Sequence, residues 1–312
     1  MTSTPTFPRP QYLSPPRRLN PQGNARRVGL EFEFAGLGLE QAATIVSSVF
    51  GGEVRCETEF HFIVDAPELG EFSLECDAKF LKEKQYEDAA SRLGLDLTSE
   101  DKAHFAELVA EYSDRVVPNE IVTPPLSLEQ LDVADELNRR FALAMDDSQL
   151  SIAPCGLHIN VEVASFETAW ILAVMRAYAA SYERIVNDTD VSLLRRVFPY
   201  IKPYPFAYLA QLNDPEYRPD QWTLIEDYAR LVRTRNMGLD LLPLFSFLAE
   251  DQVARHEQLE HELIKARPAF HYRLPDCHLG DPAWSVAQEW NQWVSIERIA
   301  EATLLQKRRL AS

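Results

Sequence analysis

The segment RVGLEFEF at 27–34 is the stretch of sequence that decides the fold. Its even-numbered residues, from Val28 to Phe34, are apolar, whereas the opposite positions include Glu31 and Glu33. Successive side chains of a β-strand point to opposite faces, so this period of two predicts a strand with one apolar and one acidic face. The apolar face requires a covering layer, which places the segment in a sheet with a core on one side.

Similar alternations recur along the chain and are separated by helical patterns. Strands are predicted at 54–56, 59–64, 71–76, 116–123, 151–163 and 268–274. Helices are predicted at 39–49, 99–112, 127–145, 166–187, 221–232, 251–265 and 282–310, with irregular structure or short helices at 188–219. Because the regular βαβ alternation of a doubly wound fold is missing, the pattern predicts an α+β fold. In this fold, helices pack on one face of a largely antiparallel sheet.

The domain organisation follows from length and composition. The chain of 312 residues is long enough for one large domain or two ordinary ones, and its hydrophobic fraction of 46% is normal for a protein with a substantial core. Residues 1–26 are rich in proline and arginine, which predicts a flexible, solvated tail. No clear linker follows, so residues 27–312 are predicted to form a single catalytic domain.

Composition also argues against several classes of protein. No apolar run approaches the roughly 20 residues needed to cross a bilayer, and the N-terminal segment lacks the apolar stretch of a secretory signal. A cytoplasmic protein without a membrane partner is therefore expected. The net charge of −17 disfavours binding to nucleic acid or to anionic membranes. The four cysteines show no C-x-x-C spacing, which argues against a zinc cluster or a disulfide scaffold.

Ionisable side chains recur on the polar faces of the predicted strands. Glu31 and Glu33 project from one face with their backbones roughly 7 Å apart, and they repel each other unless a cation lies between them or one takes a proton. Oxygen-rich sites of this kind suit Mg²⁺ or Mn²⁺. Other strands contribute Glu75 and Asp77, Glu120, His158 and Asn160, and His271 and Arg273. A sheet face in water would more naturally include Ser, Thr and Lys, so the recurrence favours a metal site.

Four motifs, in this order, resemble the signatures of the amidoligases. These are carboxylate–amine ligases with a glutamine synthetase-like fold, related to the glutamate–cysteine ligases. The motifs are GLEFEF at 29–34, NEIVTPPL at 119–126, GLHINV at 156–161 and FHYRLPD at 270–276. The resemblance implies formation of an amide or isopeptide bond that depends on ATP, proceeds through an acyl phosphate and uses Mg²⁺ or Mn²⁺. The implied partners are small-molecule or peptide carboxylates and amines.

The resemblance also implies roles for individual residues. Glu31, Glu33 and Glu120 match metal ligands, and His158 matches a histidine placed at metal or phosphate. Asn160 stands where the family has a second histidine, which places it among the cofactor-binding residues.

Two further positions come from the same comparison. His271 stands where the family has a metal-binding glutamate, so it is expected among the metal ligands. Arg273 matches an arginine that contacts phosphate and stabilises the transferring group, a task suited to its forked donors.

A basic patch near residue 233 is a further candidate for binding phosphate or a substrate carboxylate. Arg230 and Arg233 share a helical face, and Arg235 follows. The functional interpretation assigns cofactor binding to Arg233 and a catalytic role to Arg235. The alternative is surface ion pairing with neighbours such as Asp227.

Two alternatives to a ligase stay open, and the departures at Asn160 and His271 support one of them. Histidine is a poor ligand for Mg²⁺, so His271 indicates either an altered metal site or a noncatalytic binding protein of the same fold. A metal-dependent hydrolase would use the same carboxylates without a nucleotide.

Overall fold

The computed structural model describes residues 11–76, 118–145, 155–197 and 201–311. Nine strands within these ranges form one sheet, and each of their pairings is antiparallel. The strands are β1 (Arg27–Phe34), β2 (Val54–Thr58), β3 (His61–Ala66), β4 (Gly70–Cys76), β5 (Asn119–Val122), β6 (Leu126–Ser127), β7 (Leu157–Glu162), β8 (Leu239–Asp240) and β9 (Ala269–Tyr272). Their order is β2-β3-β4-β5-β1-β7-β9-β8, and β6 also pairs with β1. β1 therefore lies inside the sheet, between β5 and β7.

Nine α-helices lie within the same ranges. They are α1 (Leu39–Phe50), α2 (Val133–Ala144), α3 (Thr168–Asp188), α4 (Leu193–Val197), α5 (Phe206–Asn213), α6 (Gln221–Val232), α7 (Leu242–Leu248), α8 (Glu250–Ala254) and α9 (Val286–Ala311). Leu128–Gln130 and His261–Leu263 form short 3₁₀ helices. Among the described helices, none combines the length and the apolar composition needed to cross a membrane.

One face of the sheet carries the core of the protein. Its residues on the three central strands are buried, namely Val28, Leu30, Phe32, Leu157, Ile159, Phe270 and Tyr272. Aromatic side chains join this face to the helices: Phe141 of α2 packs against Phe34, and Trp293 of α9 packs against the rings of β9. The predicted α+β fold with a largely antiparallel sheet is confirmed, and these helices cover its apolar face.

Most predicted elements are present with shifted ends, but one helix is not. The prediction at 251–265 is wrong, because only α8 and a 3₁₀ helix form there. Leu259 is buried at the turn between them, and the ring of His261 contacts the carbonyl oxygen of His256 at 3.0 Å. Tertiary packing therefore overrides the local helical pattern. The predicted helix at 99–112 lies outside the described residues.

Residues 11–26 differ from the predicted solvated tail, because they pack against α9. Trp290 donates from Nε1 to the carbonyl oxygen of Leu13 at 2.8 Å, and the Leu13 N–H donates to Asn291 Oδ1 at 2.9 Å. Arg26 is fully buried and makes a two-pronged ion pair with Glu297, at 2.9 and 2.6 Å. Arginine-rich composition suggested solvation, but here a guanidinium group is satisfied inside the fold by a carboxylate of the last helix. Residues 1–10 lie outside the described ranges.

Replacement of Arg26 by methionine is expected to destabilise the fold strongly. The substitution leaves Glu297 buried without its cation, which costs about 3–5 kcal/mol in comparable cases. Arg55→Met is the matched control, because Arg55 and Glu71 form a pair that is about half exposed, and such pairs contribute less than about 1 kcal/mol. Urea denaturation measures both free energies of unfolding. Equal losses in the two variants would contradict the role given to the Arg26–Glu297 pair.

Candidate metal site on the polar face of the sheet

Cross-strand register brings the predicted site residues together on the face opposite the core. Glu31 lies opposite His158, and Glu33 lies opposite Glu120. Asn160 lies opposite His271, which in turn lies opposite Asp240. Residues that pair directly in an antiparallel sheet have neighbouring side chains on the same face. We call this continuous surface the polar face; its members are Glu33, Glu120, Glu31, His158, Asn160, His271 and Asp240.

Glu31 lies at the centre of the polar face, and its two carboxylate oxygens have different partners. Oε2 lies 2.8 Å from His158 Nδ1 and 3.9 Å from His271 Nε2. Oε1 accepts a hydrogen bond from Asn160 Nδ2 at 2.8 Å and lies 3.5 Å from Arg267 Nη1. Burial by itself would raise the pKa of Glu31, but the hydrogen bond to His158 and the surrounding positive charges lower this pKa well below its usual value. Glu31 is therefore ionised and acts as an acceptor.

His271 is almost fully buried and lies between two carboxylates. Its Nδ1 is 3.5 Å from Asp240 Oδ2, on the side away from Glu31. Burial lowers the pKa of His271 to about 3, so the imidazole is neutral at pH 7. Burial would raise the pKa of Asp240, but His271 and Arg235 lower it, so Asp240 is ionised and only accepts hydrogen bonds. The neutral ring of His271 therefore lies between two acceptors, Asp240 on the side of Nδ1 and Glu31 on the side of Nε2.

The part of the polar face formed by Glu33 of β1 and by β5 and β4 is acidic. Glu33 accepts a hydrogen bond at Oε2 from the Gly156 N–H, at 2.6 Å, and its Oε1 lies 3.4 Å from His158 Nε2. Glu120 pairs in register with Glu33 on one side and with Glu75 on the other. Carboxylates of three adjacent strands thus follow one another along the face. Asp77 lies outside the described residues.

Two groups of side chains on the polar face have the composition and spacing of metal ligands. One is Glu31, His158 and His271, and the other is Glu33, Glu120 and His158; in each group the ligand atoms lie within 4.8 Å of one another. The predicted metal ligands therefore meet at one place in the fold, and His158 belongs to both groups. Oxygen and imidazole donors at this spacing fit a divalent cation.

Arginine side chains border the polar face on its β8–β9 side. Arg273 donates from Nη1 to the carbonyl oxygen of Arg235 at 3.0 Å, and Arg235 Nε lies 3.6 Å from Asp240 Oδ2. Arg267 approaches Glu31 as described above. Within the described residues, the Nε atoms of Arg235, Arg267 and Arg273 are buried without a hydrogen-bond partner. Guanidinium groups in this state are suited to an anionic ligand, since each presents donors that the protein leaves unused.

The three arginines of the basic patch around residue 233 lie in two different places. Arg235 lies at the polar face, whereas Arg230 and Arg233 are exposed. Arg233 is exposed at the end of α6 and donates to the carbonyl oxygen of Arg230 at 2.7 Å. Arg230 pairs with Asp227 at 2.9 Å, which is the surface ion pairing considered as the alternative. Arg235, by contrast, contacts Asp240 of the polar face. Of the two predicted arginines, the contacts tie Arg235 to the site, and a cofactor role for Arg233 stays a prediction.

Arg195 holds the end of β9 in place and was missed by the sequence reasoning. Its Nη1 donates to the carbonyl oxygens of Leu274 and Pro275 and to Asp276 Oδ1, and its Nη2 donates to the carbonyl oxygen of Arg273 at 2.8 Å. The guanidinium also fills the space beside Gly156, where a Cβ atom would lie 2.6 Å from Nη2. This arginine therefore fixes both the backbone of Arg273 and the glycine that binds Glu33.

Asp240 and Arg267 are further residues of the site that the sequence did not reveal. Asp240 belongs to a strand of two residues, too short for a period of two to be detected. Arg267 precedes β9, and its approach to Glu31 depends on the packing of β9 near β1. A signal for Asp240 does exist in the sequence: it is a single acidic residue inside an apolar stretch, GLDLLPLF at 238–245, and such a residue needs a partner when buried.

An antiparallel sheet that gathers carboxylates and imidazoles on one face, bordered by guanidinium groups, defines a candidate metal site. A protein family described as "Putative amidoligase enzyme" matches residues 24–295, and the chain belongs to this family. Membership confirms the resemblance that the four motifs indicated, and it supports a ligase as the class of enzyme. Comparisons with curated proteins and with solved structures gave no significant match.

Gly156→Ala is expected to disturb the site because the added methyl group meets the Arg195 guanidinium at 2.6 Å and Glu33 Oε2 at 3.2 Å. Overpacking of this kind costs about 1–3 kcal/mol. Gly29→Ala is the matched control on β1, because its Cβ would lie 3.6 Å from the nearest atom, an ordinary contact. Thermal and urea unfolding compare the two variants. If Gly156→Ala is as stable as Gly29→Ala, the tight packing of Arg195 against Gly156 is incorrect.

Proposed function

We propose that this chain is an ATP-dependent carboxylate–amine ligase that forms an amide or isopeptide bond through an acyl phosphate, with divalent metal ions. The observation that supports it most strongly is the polar face itself, in a chain of the amidoligase family. Carboxylates from β1 and β5 lie on the same face as His158, and the arginines of the β8–β9 side lie next to them. We also infer that the sheet corresponds to the glutamine synthetase-like fold of such ligases.

The donor set on the polar face fits the metal ions that this chemistry needs. Glu33 and Glu120 offer carboxylate oxygens, which Mg²⁺ prefers while it retains several waters. Metal ions held there by Glu33 and Glu120 would supply the positive charge that stabilises phosphoryl transfer. In the protein itself, the Gly156 N–H and His158 hold Glu33 in a fixed orientation before any ion arrives.

The arginines supply the second requirement, which is recognition of anionic groups. Arg273 and Arg235 are proposed as catalytic residues that contact the transferring phosphoryl group, because Arg235 approaches Asp240 of the polar face, Arg273 contacts Arg235, and each has a buried Nε donor without a partner. Their backbones are fixed through Arg195 and through the Arg273–Arg235 contact. Positioning of this kind accounts for most of the catalysis in phosphoryl transfer, since the protein contributes little covalent chemistry.

The substrates are proposed as a small-molecule or peptide carboxylate and an amine, joined in the cytoplasm, where ATP is present. A metal-dependent hydrolase and a noncatalytic binding protein are the competing functions. They differ from the ligase in one measurable respect: neither couples cleavage of ATP to capture of an activated carboxylate by an amine.

Hydroxylamine tests the proposal because this small nucleophile can take the place of the natural amine, whatever its structure. The protein is incubated with ATP, Mg²⁺ or Mn²⁺, hydroxylamine and a panel of amino acids, dicarboxylates and short peptides. A ligase converts an acyl phosphate into a hydroxamate and releases one ADP for each hydroxamate. Glu33→Gln and Glu120→Gln are expected to lower this rate by about 100-fold or more, because each removes a charged metal ligand.

Glu71→Gln serves as the control variant, because Glu71 is exposed at the outer part of β4 and pairs with Arg55. It should retain the activity of the unmodified protein. The ligase proposal fails if ADP and hydroxamate stay at background with every carboxylate and metal. Hydrolysis of a phosphate or amide substrate without ATP would instead support the hydrolase.

A further inference from the structure

We propose that Glu31, His158 and His271 form a nitrogen-rich subsite that binds a divalent transition-metal ion, of the Zn²⁺, Mn²⁺ or Co²⁺ type, in preference to Mg²⁺. This inference deepens the proposed function and rests on it only in taking the polar face to be metal-dependent. The subsite is distinct from the carboxylates of Glu33 and Glu120. The two halves of the polar face would thus hold chemically different ions.

The donor atoms set the preference. Mg²⁺ demands oxygen ligands in near-octahedral geometry, whereas imidazole suits Zn²⁺ and other transition metals. Two imidazoles and one carboxylate form the set of Glu31, His158 and His271. The same combination holds zinc in known catalytic sites and leaves a further position for water or substrate.

The three donor atoms lie within 4.8 Å of one another. Glu31 Oε2 lies 2.8 Å from His158 Nδ1 and 3.9 Å from His271 Nε2. Ligands of a tetrahedral zinc ion are roughly 3.3 Å apart, because the metal–ligand bonds are about 2.0–2.1 Å. The two observed separations lie on either side of this value, so small side-chain rotations bring the atoms into a coordination sphere.

Each of the three proposed ligands contacts a second polar group through an atom other than its ligand atom. Asp240 faces His271 Nδ1, and Glu33 faces His158 Nε2, so each imidazole has a carboxylate on the nitrogen away from Glu31 Oε2. Asn160 binds the opposite oxygen of Glu31. Metal-binding histidines almost always donate their other N–H to such a partner, which fixes the ring and its tautomer. Asn160 therefore has a defined role here, as a group that orients the carboxylate ligand.

His271 provides a second and independent observation. Only 2% of its surface is exposed, and within the described residues both of its ring nitrogens are buried without a hydrogen-bond partner. A buried polar atom that lacks a partner costs stability, so this arrangement requires an explanation. Nδ1 has Asp240 at 3.5 Å as its nearest acceptor. Nε2 lies 3.9 Å from Glu31 Oε2, and a metal ion between the two would satisfy it.

The competing arrangement is a metal-free ionic network. In that case His158 would bridge Glu31 and Glu33 without an ion, and Arg267 would supply positive charge at Glu31. Arg267 contacts Oε1, the oxygen that is not directed at the histidines, and its side chain retains 29% exposure. It can therefore stay in place or swing into solvent while Oε2 serves as a ligand.

Titration with Co²⁺ distinguishes the two arrangements without any assay of activity. Protein freed of metal with a chelator is titrated with Co²⁺, and visible absorption reports nitrogen-containing coordination. The unmodified protein should bind one Co²⁺ with such a spectrum, Zn²⁺ should displace it, and a large excess of Mg²⁺ should not. His256→Gln is the matched control, because His256 pairs with Glu226 away from the polar face.

Two variants test the individual residues. His271→Glu should weaken binding of Co²⁺ and raise that of Mg²⁺, because it replaces an imidazole by a carboxylate. Asp240→Asn keeps the size of the side chain and removes only the charge behind His271, and it should weaken Co²⁺ binding by about 10–100-fold. Circular dichroism confirms that each variant is folded, and Asp240→Asn remains informative if His271→Glu does not fold.

The outcomes separate this inference from the proposed ligase activity. Displacement of Co²⁺ by Mg²⁺ in large excess, absence of Co²⁺ binding, or Co²⁺ binding unaffected by Asp240→Asn would overturn the nitrogen-rich subsite. Formation of hydroxamate with Mg²⁺ alone would then leave the ligase proposal standing. Co²⁺ binding with the predicted selectivity and no ATP turnover would sustain the subsite and reject the ligase.

Discussion

The register between β1 and its two neighbours is the constraint on which the rest of the structure depends. Pairing of Glu31 with His158 and of Glu33 with Glu120 fixes which side chains meet on the polar face. A slip of one residue would turn the glutamates into the core and the phenylalanines toward solvent. Burial of the apolar face therefore helps to maintain the site, because the helices that cover it exclude any such slip.

Electrostatic balance explains how so many charges coexist on this face. The chain carries a net charge of −17, yet the central carboxylate, Glu31, is surrounded by two histidines, an amide and a guanidinium. Buried carboxylates persist only when they are paired or bound to a cation. Toward β8, the buried carboxylate of Asp240 is balanced in the same way by the guanidinium group of Arg235. The polar face is thus a set of partly compensated charges, which favours a ligand that brings both a cation and an anion, such as a metal complex of a nucleotide.

Much of this arrangement could be predicted from the sequence, because apolar and polar side chains alternate with a period of two along the strands. The alternation in RVGLEFEF predicted a strand with one acidic face, and the motifs around Glu120, His158 and His271 predicted further strands with ionisable side chains. Asp240 and Arg267 could not be found in this way, because their positions depend on which strands become neighbours. Arg195 lies in a short helix and acts on the backbone of a distant segment.

The failed helix at 251–265 has a similar cause. Burial of Leu259 at a turn depends on tertiary packing, which local periodicity does not contain. The predicted tail failed for a related reason. The composition of residues 11–26 resembles that of a solvated segment, but composition does not reveal that Arg26 has a buried partner in α9.

The central claim is that the polar face binds divalent metal together with a nucleotide. Electron paramagnetic resonance of Mn²⁺ measures this most directly, with a nonhydrolysable ATP analogue, the unmodified protein and a Glu33→Gln/Glu120→Gln double variant. The account predicts that the unmodified protein and the analogue together bind more Mn²⁺ than the sum of what each binds separately, and that the double variant loses this excess. Bound Mn²⁺ equal to the sum of the separate components, in both proteins, would contradict it.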